Sequence, residues 1–94
     1  MITSFRDRDT EHFADGGHVR RWEAFRQQAE KRLRILDAAT SLRDLAALNS
    51  NGLEALKSDR KAQYSIRINS QWRICFHWPK DEHGPSNVEI VDYH

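Results

Sequence analysis

An α+β fold, with helices packed on one face of a small, largely antiparallel sheet, is what this 94-residue sequence predicts. Three observations carry it. In the first half, apolar residues recur at spacings of three and four, the mark of helices with one buried stripe. In the second half the period drops to two, the mark of strands with one buried face. The helices come first and a meander of strands follows, which is the order of an α+β chain.

Taken in order, Ile2 to Phe5 (ITSF) is expected as a short first strand. Asp9 or Thr10 is suited to cap a brief helix through Phe13, which Gly16-Gly17 ends. Val19 to Ala39 is expected as the main helix. Its stripe is Trp22, Phe25, Ala29, Leu33 and Leu36, with Arg20, Gln27, Lys31 and Arg34 turned away. Ser41-Leu42-Arg43-Asp44-Leu45 starts a second, short helix, and Asn49-Ser50-Asn51-Gly52 is a turn cluster that closes it. Tyr64, Ile66 and Ile68 then alternate with Gln63, Ser65, Arg67 and Asn69. After the turn Asn69-Ser70-Gln71, Trp72, Ile74, Phe76 and Trp78 alternate with Arg73, Cys75 and His77. This is a hairpin with one apolar face. Lys80 to Ser86 is the next loop, and Val88 to Tyr93 returns as a third strand.

The chain is expected to form one domain over residues 1–94, long enough for a modest core. At 38% hydrophobic and 31% charged residues it reads as globular, not disordered. Its apolar runs are too short to span a bilayer. The start, MITSFRDRDTEHF, has no signal-peptide core, because charge begins at Arg6. The lone Cys75 excludes an internal disulfide and a cysteine-based zinc cage, and fits a small packing residue better than a nucleophile. A cytosolic location is the expectation.

Net charge is only +1, but it is unevenly spread. Residues 19–36 hold six Arg or Lys against Glu23 and Glu30. Residues 57–80 hold Lys57, Arg60, Lys61, Arg67, Arg73 and Lys80 against Asp59. Residues 81–94 hold Asp81, Glu82, Glu89 and Asp92 and neither Arg nor Lys. Such segregation suits a local anionic partner better than a uniformly cationic surface.

Arg67 and Arg73 share parity and flank the hairpin turn. If the even positions face the helices, both guanidiniums stand on the other face, where two forks can grip a phosphate. Taken alone, the pair fits surface arginines equally well. Lys57, Arg60 and Lys61 add positive charge where the chain enters the hairpin. Tyr64 could stack on a base, but its strand phase favours the core. His12, His18, His77, His83 and His94 lack HxH or HxxxH spacing, so no metal or other cofactor is expected. There is neither a Gly-rich phosphate loop nor GxSxG. What remains is metal-free acid–base chemistry around a phosphate, with arginines for charge and His, Tyr, Asp, Glu or Lys as proton carriers.

The run YSIRINSQWRICFHW and the terminal VEIVDYH resemble HigB toxins of the RelE/ParE superfamily. So do LRILDAATSLRDL at the end of the long helix and LEALKSDR before the hairpin. The resemblance covers nearly the whole chain and keeps the order of elements. It implies the RelE-like fold, helices against a curved, mostly antiparallel sheet. It also implies a type II toxin that cuts messenger RNA in the ribosomal A site and inhibits translation and growth. The implied partners are the ribosome, through 16S rRNA and A-site message, and a helix-turn-helix HigA antitoxin, with operator DNA reached only through that antitoxin.

Residue by residue, the resemblance puts Arg73 where the family has its phosphate-stabilising arginine. Asp92, Tyr93 and His94 fall on the family's C-terminal catalytic residues, and Lys57 on a lysine beside the site. Arg60, Lys61 and Arg67 are further candidates for RNA binding. One branch of the family has histidine where this chain reads Glu54, which leaves Glu54, Asp92 and His94 as alternative general bases. The implied reaction uses the RNA 2′-OH as nucleophile and yields a 2′,3′-cyclic phosphate and a free 5′-OH. A different class of function also fits: a RelE-fold binding module that engages antitoxin or RNA with little or no nuclease activity. A repressor acting alone fits worst, since no recognition helix is apparent.

Overall fold

The computed structural model describes residues 1–56 and 62–92. Among the site candidates, Lys57, Arg60, Lys61, Tyr93 and His94 lie outside the described residues.

Asp7 opens the helical half. Its backbone is extended and its carboxylate accepts from the Thr10 amide at 2.7 Å, capping α1 (Arg8–Ala14). The cap therefore precedes the expected Asp9 or Thr10, and both of those are engaged elsewhere. Asp9 meets Arg21 at 2.8 Å. Thr10 is fully buried and its hydroxyl accepts from the Ile90 amide at 3.2 Å.

The expected long helix from Val19 is two windings in series. Arg20–Phe25 is a 3₁₀ helix, and α2 (Arg26–Ala38) follows as an α-helix. Val19, Trp22 and Phe25 recur every three residues and are all buried, as a three-residue turn requires. From Phe25 on, Ala29, Leu33 and Leu36 recur at α-helical spacing and are buried in turn. At the junction, Arg26 bonds Glu23 at 2.6 Å and Glu30 at 3.1 Å. Hydrogen bonds from His18 and then Arg26 hold the Glu23 carboxyl below its ordinary range. A third helix, α3 (Leu42–Ala47), is capped by Ser41 as its sequence predicts. The Asp44 carboxyl in its first turn is likewise held low, chiefly by the Thr40 hydroxyl at 2.6 Å.

Among the described residues the strands are β1 (Glu54–Ala55), β2 (Gln63–Arg67), β3 (Trp72–His77) and β4 (Ser86–Asp92). They form one antiparallel sheet in the order β1-β2-β3-β4. The hairpin of β2 and β3 is the one its sequence predicts, with Arg67 directly opposite Arg73. Strand β1 was not expected, because two residues show no period. The even-numbered positions of the hairpin face the helices. Phe13, Trp22, Leu33, Leu36 and Leu45 close over Ile66, Ile74, Phe76, Val88 and Ile90, and Phe25 stacks on Trp72 with ring centres 5.2 Å apart. Each such side chain contributes roughly 1.5–3 kcal/mol on leaving water. No described helix is long and apolar enough to cross a membrane.

The outer edge of β4 does not face water bare. The segment expected as a first strand runs parallel to it at a single bridge, Phe5 to Val88. Val88 donates to the Ser4 carbonyl at 3.1 Å and Arg6 donates to the Val88 carbonyl at 3.0 Å. Where that segment turns into α1, the Thr10 hydroxyl takes over as acceptor for Ile90. Thr10→Val keeps the shape and removes the acceptor, leaving a buried amide unpaired. The expected loss is about 1–3 kcal/mol, measured by chemical denaturation, with Thr10→Ser losing distinctly less. Acid should act at Asp44 in a defined sense. Its lowered carboxyl adds stability above the ordinary value of 3.8, and that contribution is lost as pH falls through the lower folded value. Thr40→Val should bring the Asp44 titration, followed by carboxyl NMR, back up toward 3.8.

Candidate functional site

Arg73 lies on β3, on the face of the sheet away from the helices, where its parity predicts it. It is not a surface arginine. It is 8% exposed, because the chain before β1 folds over it. Its Nε donates to the Ser65 hydroxyl at 2.8 Å, and its Nη2 donates to the Ser65 carbonyl at 3.4 Å and closely to the Gly52 carbonyl. Its Nη1 meets the Glu54 carboxylate at 3.7 Å. Nε and Nη2 form one edge of the planar guanidinium, and that edge is turned into the protein. Its acceptors there are neutral, so they orient the group without cancelling its charge.

Local sequence explains the cover. Gly52 is left-handed, at φ 54° and ψ 46°, a conformation that costs a residue with a Cβ about 1–2 kcal/mol. A Cβ there would also lie 3.5 Å from the Arg67 side chain and 3.8 Å from Arg73 Nη2. Asn51, fully buried, fixes the loop: it donates to the Leu45 carbonyl at 3.0 Å and accepts from Arg32 Nη1 at 2.7 Å. Arg32 belongs to α2, so the main helix is linked through Asn51 to the peptide that clasps Arg73.

Of the other sequence-predicted residues, Glu54 is brought to Arg73. Glu54 pairs with Ser65 in the sheet and its side chain is 53% exposed. Arg67 faces Arg73 across the hairpin, but its Nε is turned to the Asn69 carbonyl at 3.3 Å and its side chain is exposed. Asp92 ends β4 opposite Trp72, while Val91 is the residue opposite Arg73. By strand alternation its carboxylate belongs to the other face of the sheet, and it accepts from Gln71 Nε2 at 3.0 Å. Tyr64 is half-buried and stacked on Phe76, 6.1 Å between ring centres, as its phase predicts. Cys75 is buried on the strand, in keeping with a packing role.

Sequence reasoning passed over Ser65, Gly52 and Asn51. A serine at the odd position between Gln63 and Arg67 looks like an ordinary solvent-side residue, and Asn51-Gly52 looks like turn punctuation. The signal available for Ser65 was its phase, diagonal to Arg73 across the strand pair. A hollow of about 460 Å³ lies on the helix side, lined by Ile2, Phe5, Phe13, Leu33 and neighbouring charged residues. None of the described site candidates lines it. Among the described residues no three His, Cys, Asp or Glu side chains are grouped to hold a metal ion.

Helices closing one face of an antiparallel sheet define the class, the RelE-like toxin fold. A solved YoeB/ParE toxin from Agrobacterium tumefaciens superposes with a TM-score of 0.52 over 99% of this chain and 97% of that one, at 17% identity. The sequence model of the HigB-like toxins, described as RelE-like toxins of the type II toxin–antitoxin system HigB, matches residues 3–94. Toxin HigB-1 of Vibrio cholerae serotype O1 (strain ATCC 39315 / El Tor Inaba N16961) is 32% identical over 80 residues. That stretch covers 83% of this chain and 84% of the relative. The chain belongs to the HigB-like toxin family. It is the toxin of a type II pair, so an antitoxin is its partner.

Asn51 carries a prediction that separates packing from chemistry. Asn51→Ala removes the donor to the Leu45 carbonyl and the acceptor of the short Arg32 bond and should cost about 1–3 kcal/mol in denaturant unfolding. Arg32→Ala in the same background should add less than it does alone, because the two share one bond.

Proposed function

We propose that this toxin is a metal-free endoribonuclease that cuts messenger RNA in the ribosomal A site, and that a HigA-type antitoxin neutralises it. The observation that carries the reading is Arg73 in a HigB-like chain. It is a guanidinium held by neutral acceptors on one edge, with Nη1 turned toward Glu54. That is what a group needs in order to stabilise charge that develops on a phosphate.

In this mechanism the RNA 2′-OH attacks the adjacent phosphorus and the 5′ oxygen of the next nucleotide leaves. The products are a 2′,3′-cyclic phosphate and a 5′-OH. Arg73 takes the added charge of the phosphorane. One group removes the 2′ proton and another delivers a proton to the leaving oxygen. Glu54, beside Arg73, is a candidate for the first task; His94, whose ordinary pKa is near 6.5, suits either. Asp92 orients or assists His94, and Tyr93 positions the substrate or stacks on a base. Lys57, Arg60, Lys61 and Arg67 bind the RNA backbone. The whole works as one domain, residues 1–94, in the cytoplasm where ribosomes are. The modest +1 charge makes it dependent on the ribosome to present the message, and operator DNA is reached through the antitoxin.

Induction of the wild-type chain should arrest growth, and co-expressed antitoxin should relieve the arrest. New message ends should map within codons on translating ribosomes. Arg73→Ala should lower cleavage by about 10²–10³-fold while antitoxin binding persists. A 2′-deoxy sugar at the scissile nucleotide should block it. Harmless expression with unchanged message ends would instead support the binding-module reading, in which the Glu54 carboxylate keeps Arg73 occupied.

A further inference from the structure

The side of Arg73 that faces the protein raises a question the reaction leaves open: what fixes the direction of its other side. A guanidinium on a flexible stem has two hydrogen-bonding edges and must commit one of them to be useful with the other. Here the Nε–Nη2 edge is committed. The Ser65 hydroxyl, completely buried, accepts from Nε at 2.8 Å. The Gly52 carbonyl and, at 3.4 Å, the Ser65 carbonyl accept from Nη2. Both carbonyls belong to backbone and survive any side-chain change. Among the described residues the hydroxyl is the side-chain acceptor on that edge, and it fixes Nε, the atom that sets the plane of the group.

We propose that Ser65 is a positioning residue for cleavage. It holds the Arg73 plane so that the Nη1 end, which now meets Glu54 at 3.7 Å, is presented to the scissile phosphate. This rests on the ribonuclease reading above and adds to it a residue that touches no substrate. Serine suits the task because its oxygen is neutral and short. A carboxylate in its place would pair with Arg73 and neutralise it.

A matched pair of variants tests this. Ser65→Thr and Ser65→Val have the same volume and branching and differ only in the hydroxyl. Both are assayed beside wild type and Arg73→Ala, by single-turnover cleavage of message on translating ribosomes over a range of toxin concentrations. Thermal unfolding and antitoxin binding are measured on each. The expected result is that Ser65→Thr cleaves within a few-fold of wild type. Ser65→Val should lose about 10- to 100-fold in maximal rate, with half-saturating toxin concentration and antitoxin binding matching Ser65→Thr. Its unfolding temperature falls below that of Ser65→Thr, because Arg73 Nε loses its acceptor, but stays above the assay temperature. Equal rates for the two variants, whether both normal or both impaired, would overturn the positioning role. If Arg73→Ala also remains fully active, the ribonuclease site itself is wrong. If Arg73→Ala is inactive and the Ser65 variants match each other, only the role of Ser65 falls.

Discussion

A buried arginine dictates much of this molecule's second half. Arginine cannot shed its charge, so a guanidinium that is 8% exposed must have its donors met or the fold loses several kcal/mol. Among the described residues the strand pair beneath offers one hydroxyl and one carbonyl, both from Ser65. The remaining acceptor has to come from a chain segment laid over the sheet. That segment is Asn51-Gly52, and its demands explain features that otherwise look arbitrary. They are a left-handed glycine, a buried asparagine with both ends of its amide engaged, and a two-residue strand that resumes pairing directly after the crossing. Arg32 ties the same loop to α2, so the helical half stabilises the clasp on the far face of the sheet.

The sheet has a matching arrangement at its other margin. Strand β4 is bonded to β3 on one side and to Ser4, Arg6 and Thr10 on the other. A last strand is normally the one that frays, since half of its amides face water. Here an N-terminal segment and a helical threonine occupy those amides, which fastens the strand as far as Ile90. Both margins of the sheet are thus closed by short pieces rather than by full strands. A fully buried polar side chain takes part at each margin: Asn51 at one and Thr10 at the other.

What was legible in the sequence was what is local. The change of period separated helices from strands, Ser41 announced its helix, and equal parity put Arg67 across from Arg73. The misreadings have one physical origin, which is that parity and periodicity describe an element and not what folds onto it. Parity placed Arg73 on the face away from the helices, correctly. It could not show that Gly52, twenty-one residues earlier, closes over that face. Asp9 and Thr10 both have capping chemistry, and only tertiary contacts with Arg21 and Ile90 leave Asp7 to do it. The 3₁₀ start of the main helix was written in the spacing of Val19, Trp22 and Phe25, although a spacing of three also belongs to an α-helical stripe. Family resemblance drew attention to Glu54 as a departure, and the structure sets that carboxylate beside Arg73. Resemblance gave no hint of Ser65.

The two kinds of acceptor around Arg73 differ in a way that bears on anion exchange. The neutral ones lie inside and hold the Nε–Nη2 edge at hydrogen-bond distance. The charged one, Glu54, stands at 3.7 Å with half of its side chain in water. A contact of that length is weak, since water competes for the half-exposed carboxylate. A phosphate that reaches the same Nη1 end can form shorter, charge-assisted bonds than the one to Glu54. Had the acidic residue been placed at Ser65 and the hydroxyl at Glu54, the same atoms would give the opposite behaviour. The carboxylate would be buried, tightly bonded and hard to displace, and Arg73 would be spent on the fold. Among the described residues, the acceptors of the buried Nε–Nη2 edge are neutral and the charged one stands at the exposed end, so Arg73 is held in place there without being neutralised.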